Sequence, residues 1–180
     1  MPRQGVRLTA QLKCVYTNAH GMGNKQEELE TIVQQDGYDL VTIIETWWDD
    51  SHDRRAAKDG YEVFRRDRRG KRGGGVVLYI TDCFDCIELD DCDDKVECLC
   101  VNLKRKANKA DILLRVCYRP AIQDEEVDEV FYSHLAEVSQ SLALFLMGDL
   151  NLADICWKYN TAERKRSRRF LESVEDNFLM

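Results

Sequence analysis

LKCVYTNAHGMGNKQEELETIVQQDGYDLVTIIE, residues 12–45, carries the organisation of the chain. Residues 12–17 are rich in strand-favouring side chains and 18–23 in turn formers, so a strand is expected to end near Asn18. Asn24 then reads as a helix cap, with Glu27 three residues on and Leu29, Ile32 and Val33 on one helical face. Gly37 closes that helix, and residues 38–44 form a second apolar strand running straight into Glu45. Strand, helix and strand in that order point to a layered α/β core.

Downstream, residues 61–64 and 76–80 are short strand candidates joined by a basic run and by Gly73, Gly74 and Gly75, the pattern of a hairpin with a long charged tip. Residues 96–103 and 112–118 supply further strands, separated by the turn formers of 104–109. Residues 124–139 read as a helix capped by Asp124, with Val127, Val130, Phe131, Leu135 and Val138 on its inner face. A buried strand over 142–147 runs into Gly148 and Asp149, and 161–178 form an amphipathic helix carrying Phe170, Leu171 and Val174 on one side and arginines on the other.

The 180 residues fit one domain, and 44% hydrophobic with 33% charged residues marks a globular chain. The longest apolar runs fall far short of the roughly 18 residues that span a bilayer, and the start lacks the apolar core of a signal peptide. An intracellular protein is therefore expected. The eight cysteines are expected as reduced, mostly buried thiols. Cys83 and Cys86 with Cys98 and Cys100 raise a zinc site, but the second pair is C-x-C and not the usual knuckle. The net charge of −7 opposes bulk attraction to nucleic acid. Two local basic runs temper that: Arg65, Arg66, Arg68, Arg69, Lys71 and Arg72, and Arg164, Lys165, Arg166, Arg168 and Arg169. Such patches can hold a phosphate backbone on an acidic protein, although charge runs are also ordinary solvated surface.

Three apolar strands end in oxygen-bearing side chains: Asn18 after VYT, Glu45 after VTII, and Asp149 with Asn151 after LFLMG. Residues at strand ends converge on one rim of a sheet, where layered α/β folds bind ligands. Glu45 and Asp149 are hard donors suited to magnesium, which takes one or two carboxylates and fills its other positions with water and phosphate. Asp149 and Asn151 lie two apart, and extended chain would put both on one side, one to orient a water and the other to donate to a phosphate oxygen.

The G-D-x-N at 148–151, E-T at 45–46, T-N at 17–18 and Y-x-P at 118–120 resemble the endonuclease/exonuclease/phosphatase superfamily. NKQEELE at 24–30, ETWWDDSHD at 45–53, FRRDRRGKRGGGV at 64–76, CYRP at 117–120 and ICWKYNTAERKRSRRFLE at 155–172 are similar, more narrowly, to the endonuclease domain of vertebrate non-LTR retrotransposons, the long interspersed elements. That resemblance implies a four-layered α/β sandwich, two mixed sheets flanked by helices. It makes Glu45 the principal metal ligand with Asn18 beside it, places Tyr118 on the scissile phosphate, gives Asp149 the attacking water and gives Asn151 the charge developing on phosphoryl oxygens. It implies magnesium, or manganese in its place, as cofactor, DNA as substrate held in part by the first basic run, a nuclear site of action, and a reverse transcriptase domain of the same polyprotein as partner.

The resemblance also implies a further strand bearing an acidic residue and a terminal Ser-Asp-His motif, neither of which occurs in these 180 residues. A single domain incomplete at its C-terminus, lacking its last strands, impaired in catalysis and poorly soluble, is the resulting expectation. Ser51, His52 and Asp53 differ from that motif in order and position, and Ala121 stands where repair-type relatives carry asparagine. A non-catalytic remnant that binds DNA or protein, and a phosphatase of the same fold, stay open as alternatives.

Overall fold

Alternating side chains along two families of strands build this molecule. The computed structural model describes residues 12–49, 51, 59–68, 73–90, 96–105, 111–140 and 143–177. One sheet holds β1 (Cys14–Asn18), β2 (Leu40–Ile44), β3 (Tyr61–Arg66) and β4 (Val76–Thr81) in the order β1-β2-β4-β3. The other holds β5 (Phe84–Glu88), β6 (Glu97–Arg105), β7 (Asp111–Tyr118) and β8 (Ala143–Asp149) in sequence order. Each mixes parallel with antiparallel pairing: β1 with β2 and β7 with β8 are parallel, the other neighbours antiparallel.

Because successive strand residues point to opposite faces, each central strand serves two cores. Leu40 and Ile44 of β2 and Val76, Leu78 and Ile80 of β4 meet Leu99, Val101 and Leu103 of β6 and Leu114 and Val116 of β7 between the sheets. Val41, Ile43, Val77 and Tyr79 face the other way, onto Val33 of α1 (Gln26–Asp36). On the far side, Cys98, Cys100, Leu113 and Cys117 pack on Phe131 and Tyr132 of α2 (Glu125–Ser139) and Phe170 and Val174 of α3 (Lys165–Asp176). Helix, sheet, sheet and helices make four layers, as the resemblance implied. Burying Leu- or Val-sized side chains stabilises by about 1.5–3 kcal/mol each, so the inter-sheet core dominates the packing.

Several expectations need correction. Asn24 lies in a 3-10 turn (Gly23–Lys25), and α1 starts at Gln26 with Lys25 as its cap and no side-chain capping bond. Asp124 does cap α2, though without a side-chain bond. Strand β5, over Phe84–Glu88, is an element that the sequence reading does not contain. Cys86 packs against the inter-sheet core, where burial first and Glu62 second push its thiol up to about 12. Cys98 and Cys117, directly opposite each other on β6 and β7, form a disulfide, contrary to the expectation of free thiols throughout. That removes Cys98 from any zinc set, and among the described residues no group of three or more His, Cys, Asp or Glu side chains is placed to hold a metal. No helix of the described residues is long and apolar enough to cross a membrane.

Candidate active site

The parallel pairing of β1 with β2 sets Asn18 opposite Ile44, so both strands end at the same rim and Glu45 emerges beside Asn18. Asn18 Nδ2 donates to Glu45 Oε1 at 2.8 Å, while Asn18 Oδ1 accepts the His20 amide at 3.0 Å. Past the rim, the amides of Ala19, Gly21 and Met22 donate to the carbonyls of Ile44, Glu45 and Thr46 at 2.9, 2.7 and 2.9 Å. From the opposite side, Thr46 and Trp47 donate to the carbonyls of Gly75 and Gly74 at 3.4 and 3.1 Å. Clamped between those two connections, Glu45 and Trp47 take φ of 52° and 57°. Non-glycine residues hold that left-handed conformation only where their surroundings enforce it, at a cost of about 1–3 kcal/mol. The clamp needs a glycine at Gly75, whose φ is 90° and whose added Cβ would sit 2.6 Å from Thr46 Oγ1.

The second sheet ends at the same place. Glu97 of β6 and Asp149 of β8 both stand opposite Tyr118 of β7. At Gly148, φ is 147° and a Cβ would fall 1.8 Å from the Cys117 carbonyl oxygen, so only glycine lets β8 lie this close to β7. Asp149 Oδ1 accepts the Asn151 amide at 2.8 Å, and Asn151, at φ 50°, donates through Nδ2 to the Arg119 carbonyl at 2.8 Å. The pair therefore meets through a turn, not through the extended alternation read from the spacing.

The two rims meet. Burial first, then the Glu45 carboxylate, push the Tyr118 phenol up to about 12. Tyr16 of β1 is likewise pushed up to about 12, by burial and then by Asp149 and Glu45, so one ring feels carboxylates from both sheets. Glu97 bridges the sheets as well: Oε2 accepts the Gly75 amide at 3.3 Å and Oε1 meets Arg68 Nε at 2.9 Å. Asn18, Glu45, Tyr118, Asp149 and Asn151 thus share one rim. Sequence reading missed Glu97 and Tyr16; the signal available for Glu97 was a carboxylate opening a strand whose partner strand ends in Tyr118.

The basic runs behave otherwise. Arg65 pairs with Asp67 and donates to the Asp49 carbonyl at 2.8 Å, Arg66 donates to the Cys98 carbonyl at 3.2 Å, and Arg68 is held by Glu97. Arg69, Lys71 and Arg72 lie outside the described residues, as do His52 and Asp53. In the second run, Lys165 pairs with Glu125 at 2.7 Å and Arg169 with Glu129 at 3.0 Å, tying α3 to α2. His20 is exposed on the turn after β1.

The donor set suits a hard cation. Glu45, whose Oε1 is oriented by Asn18 Nδ2, offers one carboxylate from a pre-set backbone, and a magnesium-type ion completes such an open shell with water and phosphate oxygens.

The same chain geometry recurs in known structures. The endonuclease domain of TRAS1, a telomere-specific non-LTR retrotransposon, superposes with a TM-score of 0.69 at 13% identity, over 93% of this chain and 71% of that one. The 3' phosphatase NExo from Neisseria, bound to product DNA hairpin, gives 0.64 at 12% identity over 93% and 71%. A mannosyl-6-phosphatase from Bacteroides thetaiotaomicron, Bt3783, gives 0.61 at 19% over 83% and 69%. No curated protein sequence matches the chain. At these identities the likeness speaks for the fold, while the sequence itself fits the Endonuclease/Exonuclease/phosphatase family model across residues 15–176, and the chain belongs to that family.

Proposed function

We propose that residues 1–180 form one domain carrying the phosphodiester-cleaving site of a DNA endonuclease of non-LTR retrotransposon type, which nicks DNA and exposes a 3' hydroxyl for a reverse transcriptase of the same polyprotein. The observation that carries this reading is the convergence of Glu45 and Asn18 from one sheet with Tyr118, Asp149 and Asn151 from the other. Enzymes of this family generally depend on a divalent metal. Glu45 and Asn18 would hold it, as magnesium or manganese, and it supplies Lewis-acid polarisation of the phosphate when bound.

The chain's own groups divide the remaining work. Asp149 spends Oδ1 on the Asn151 amide and keeps Oδ2 to align a water and take its proton. Asn151 spends one amide hydrogen on the Arg119 carbonyl and keeps the other for a phosphoryl oxygen as charge develops there. Tyr118, held protonated by burial and Glu45, donates its hydroxyl to the scissile phosphate throughout the neutral range. Arg68, ion-paired with Tyr118's strand partner Glu97, stands at the entrance, with Arg65, Arg66, Arg69, Lys71 and Arg72 as the remaining backbone contacts in this proposal. Since the Ser-Asp-His element is not among these 180 residues, nicking by them is expected to be about 100- to 10,000-fold slower than by a version extended through it.

The test is nicking of supercoiled plasmid with and without magnesium, by both versions, beside phosphate release from a mannose 6-phosphate ester and DNA binding across a salt series. Metal-dependent nicking is the expected result. Phosphate release without nicking would favour a phosphatase, and steeply salt-dependent binding with no cleavage by either version would favour a binding remnant.

A further inference from the structure

Arg119 follows Tyr118 and is almost completely buried, as is Asp128 in the first turns of α2. Their ion pair is a two-pronged fork: Arg119 Nε donates to Asp128 Oδ1 and Nη2 to Oδ2, both at 2.7 Å. The fork leaves Nη1, which donates to the Pro120 carbonyl at 3.1 Å and to the Leu150 carbonyl at 3.4 Å. Gln123 Nε2 also donates to Asp128 Oδ1, at 2.7 Å. The backbone of the same arginine completes the grip. Its amide donates to the Asp149 carbonyl at 2.8 Å and its carbonyl accepts Asn151 Nδ2 at 2.8 Å. Arg119 therefore touches three successive residues, Asp149, Leu150 and Asn151, and Asp128 fixes Arg119.

A buried ion pair is a weak source of stability, because desolvating two charges offsets most of their attraction, and apolar replacements of like volume are often tolerated. What this one does uniquely is orient. The fork geometry is available to arginine alone, since lysine presents a point charge with no planar edge. We infer that Arg119 and Asp128 are positioning residues: the pair sets the turn that aims the Asp149 carboxylate and the Asn151 amide, and so couples the placement of α2 to the chemistry. The inference rests on the reading of Asp149 and Asn151 as the water-handling half of the site.

The experiment compares the native chain, in whichever version nicks DNA, with Arg119→Met, Asp128→Leu and the double variant. Each single variant leaves a buried unpaired group and should lower Tm by roughly 10 °C. The double variant should recover to within about 3 °C of native, while nicking at saturating DNA stays at least about 10-fold slower and KM for DNA stays within about 2-fold. Recovery of Tm and rate together would overturn the inference, since a merely structural pair returns both. Should the double variant fail to fold, Arg119→Gln combined with Asp128→Asn, which removes both charges and keeps polar side chains, is read in the same way. Hydrogen exchange at the Arg119 and Asn151 amides separates this inference from the functional proposal. It should accelerate at least about 10-fold in the charge-free variants. Unchanged exchange refutes the pair's role even if DNA is nicked, whereas accelerated exchange with no nicking by any version would leave the pair intact and refute the nuclease reading.

Discussion

The two halves of the site are held by different means. On the first sheet, the Glu45 carbonyl accepts the Gly21 amide, the next two amides, of Thr46 and Trp47, donate to the Gly75 and Gly74 carbonyls, and Glu45 and Trp47 take the left-handed conformation. On the second, Asp149 and Asn151 are held by the main-chain amide and carbonyl of Arg119, whose side chain is in turn forked to Asp128 of α2. Backbone clamping gives a rigid carboxylate suited to holding a cation whose shell is demanding about geometry. A side-chain clamp can be altered without refolding the chain, and it links the second half to the position of α2.

The sharpest way to break the comparison is at Gly148, where the second half depends on the close approach of two backbones. Gly148→Ala puts a Cβ 1.8 Å from the Cys117 carbonyl oxygen at φ 147°, so β8 must part from β7. A loss of about 3–5 kcal/mol in urea-derived stability is expected from the clash and strain together. A loss under about 1 kcal/mol would mean that β8 does not need this approach to β7. A smaller effect is expected from Gly75→Ala, whose Cβ meets only the Thr46 hydroxyl at 2.6 Å and whose φ is 90°. It should cost about 1–3 kcal/mol and disturb Glu45 while sparing the amide exchange of Asn151. Equal disturbance of both would show that the halves are not held separately.

The smallest effect is a titration. Tyr118 is raised to about 12 in the folded chain from an ordinary value near 10. A raised acid keeps its proton longer in the folded state than in the unfolded one, so its contribution is complete below about pH 10 and is lost as pH climbs towards 12. Tyr118→Phe should therefore leave the pH dependence of stability unchanged from 6 to 9 and flatten its decline above about 10. A flattening already visible below pH 9 would contradict the burial of this hydroxyl against Glu45.

Most of the framework was legible in the sequence, for physical reasons that differ by element. Strands β2, β4, β6 and β7 are apolar on both faces because both faces are buried, so their runs are hard to miss. Asn18, Glu45 and Asp149 were readable because each ends an apolar run of the sequence, although only β2 is buried throughout and β8, expected as a buried strand, is half exposed. Strand β5 was hidden since FDCIE is short, largely exposed and carries two acidic residues. The Asn24 cap failed because a 3-10 turn absorbed it. Arg119 and Asp128 left no local mark, since a lone arginine in C-Y-R-P and one acid among five at the start of α2 acquire meaning only when the helix folds back. The basic runs were visible, but the protein partners that occupy Arg65, Arg66 and Arg68 were not.

The central claim is that both sheets deliver groups to one reaction site, and a double-mutant cycle on single-turnover DNA nicking tests it most directly. Glu45→Ala and Asp149→Asn should each slow the nicking version by about 100- to 1,000-fold with the fold intact, and the double variant should be little worse than the poorer single one, as for residues acting as a unit. Penalties that multiply in the double variant would show two groups acting independently, and the single shared site would be wrong.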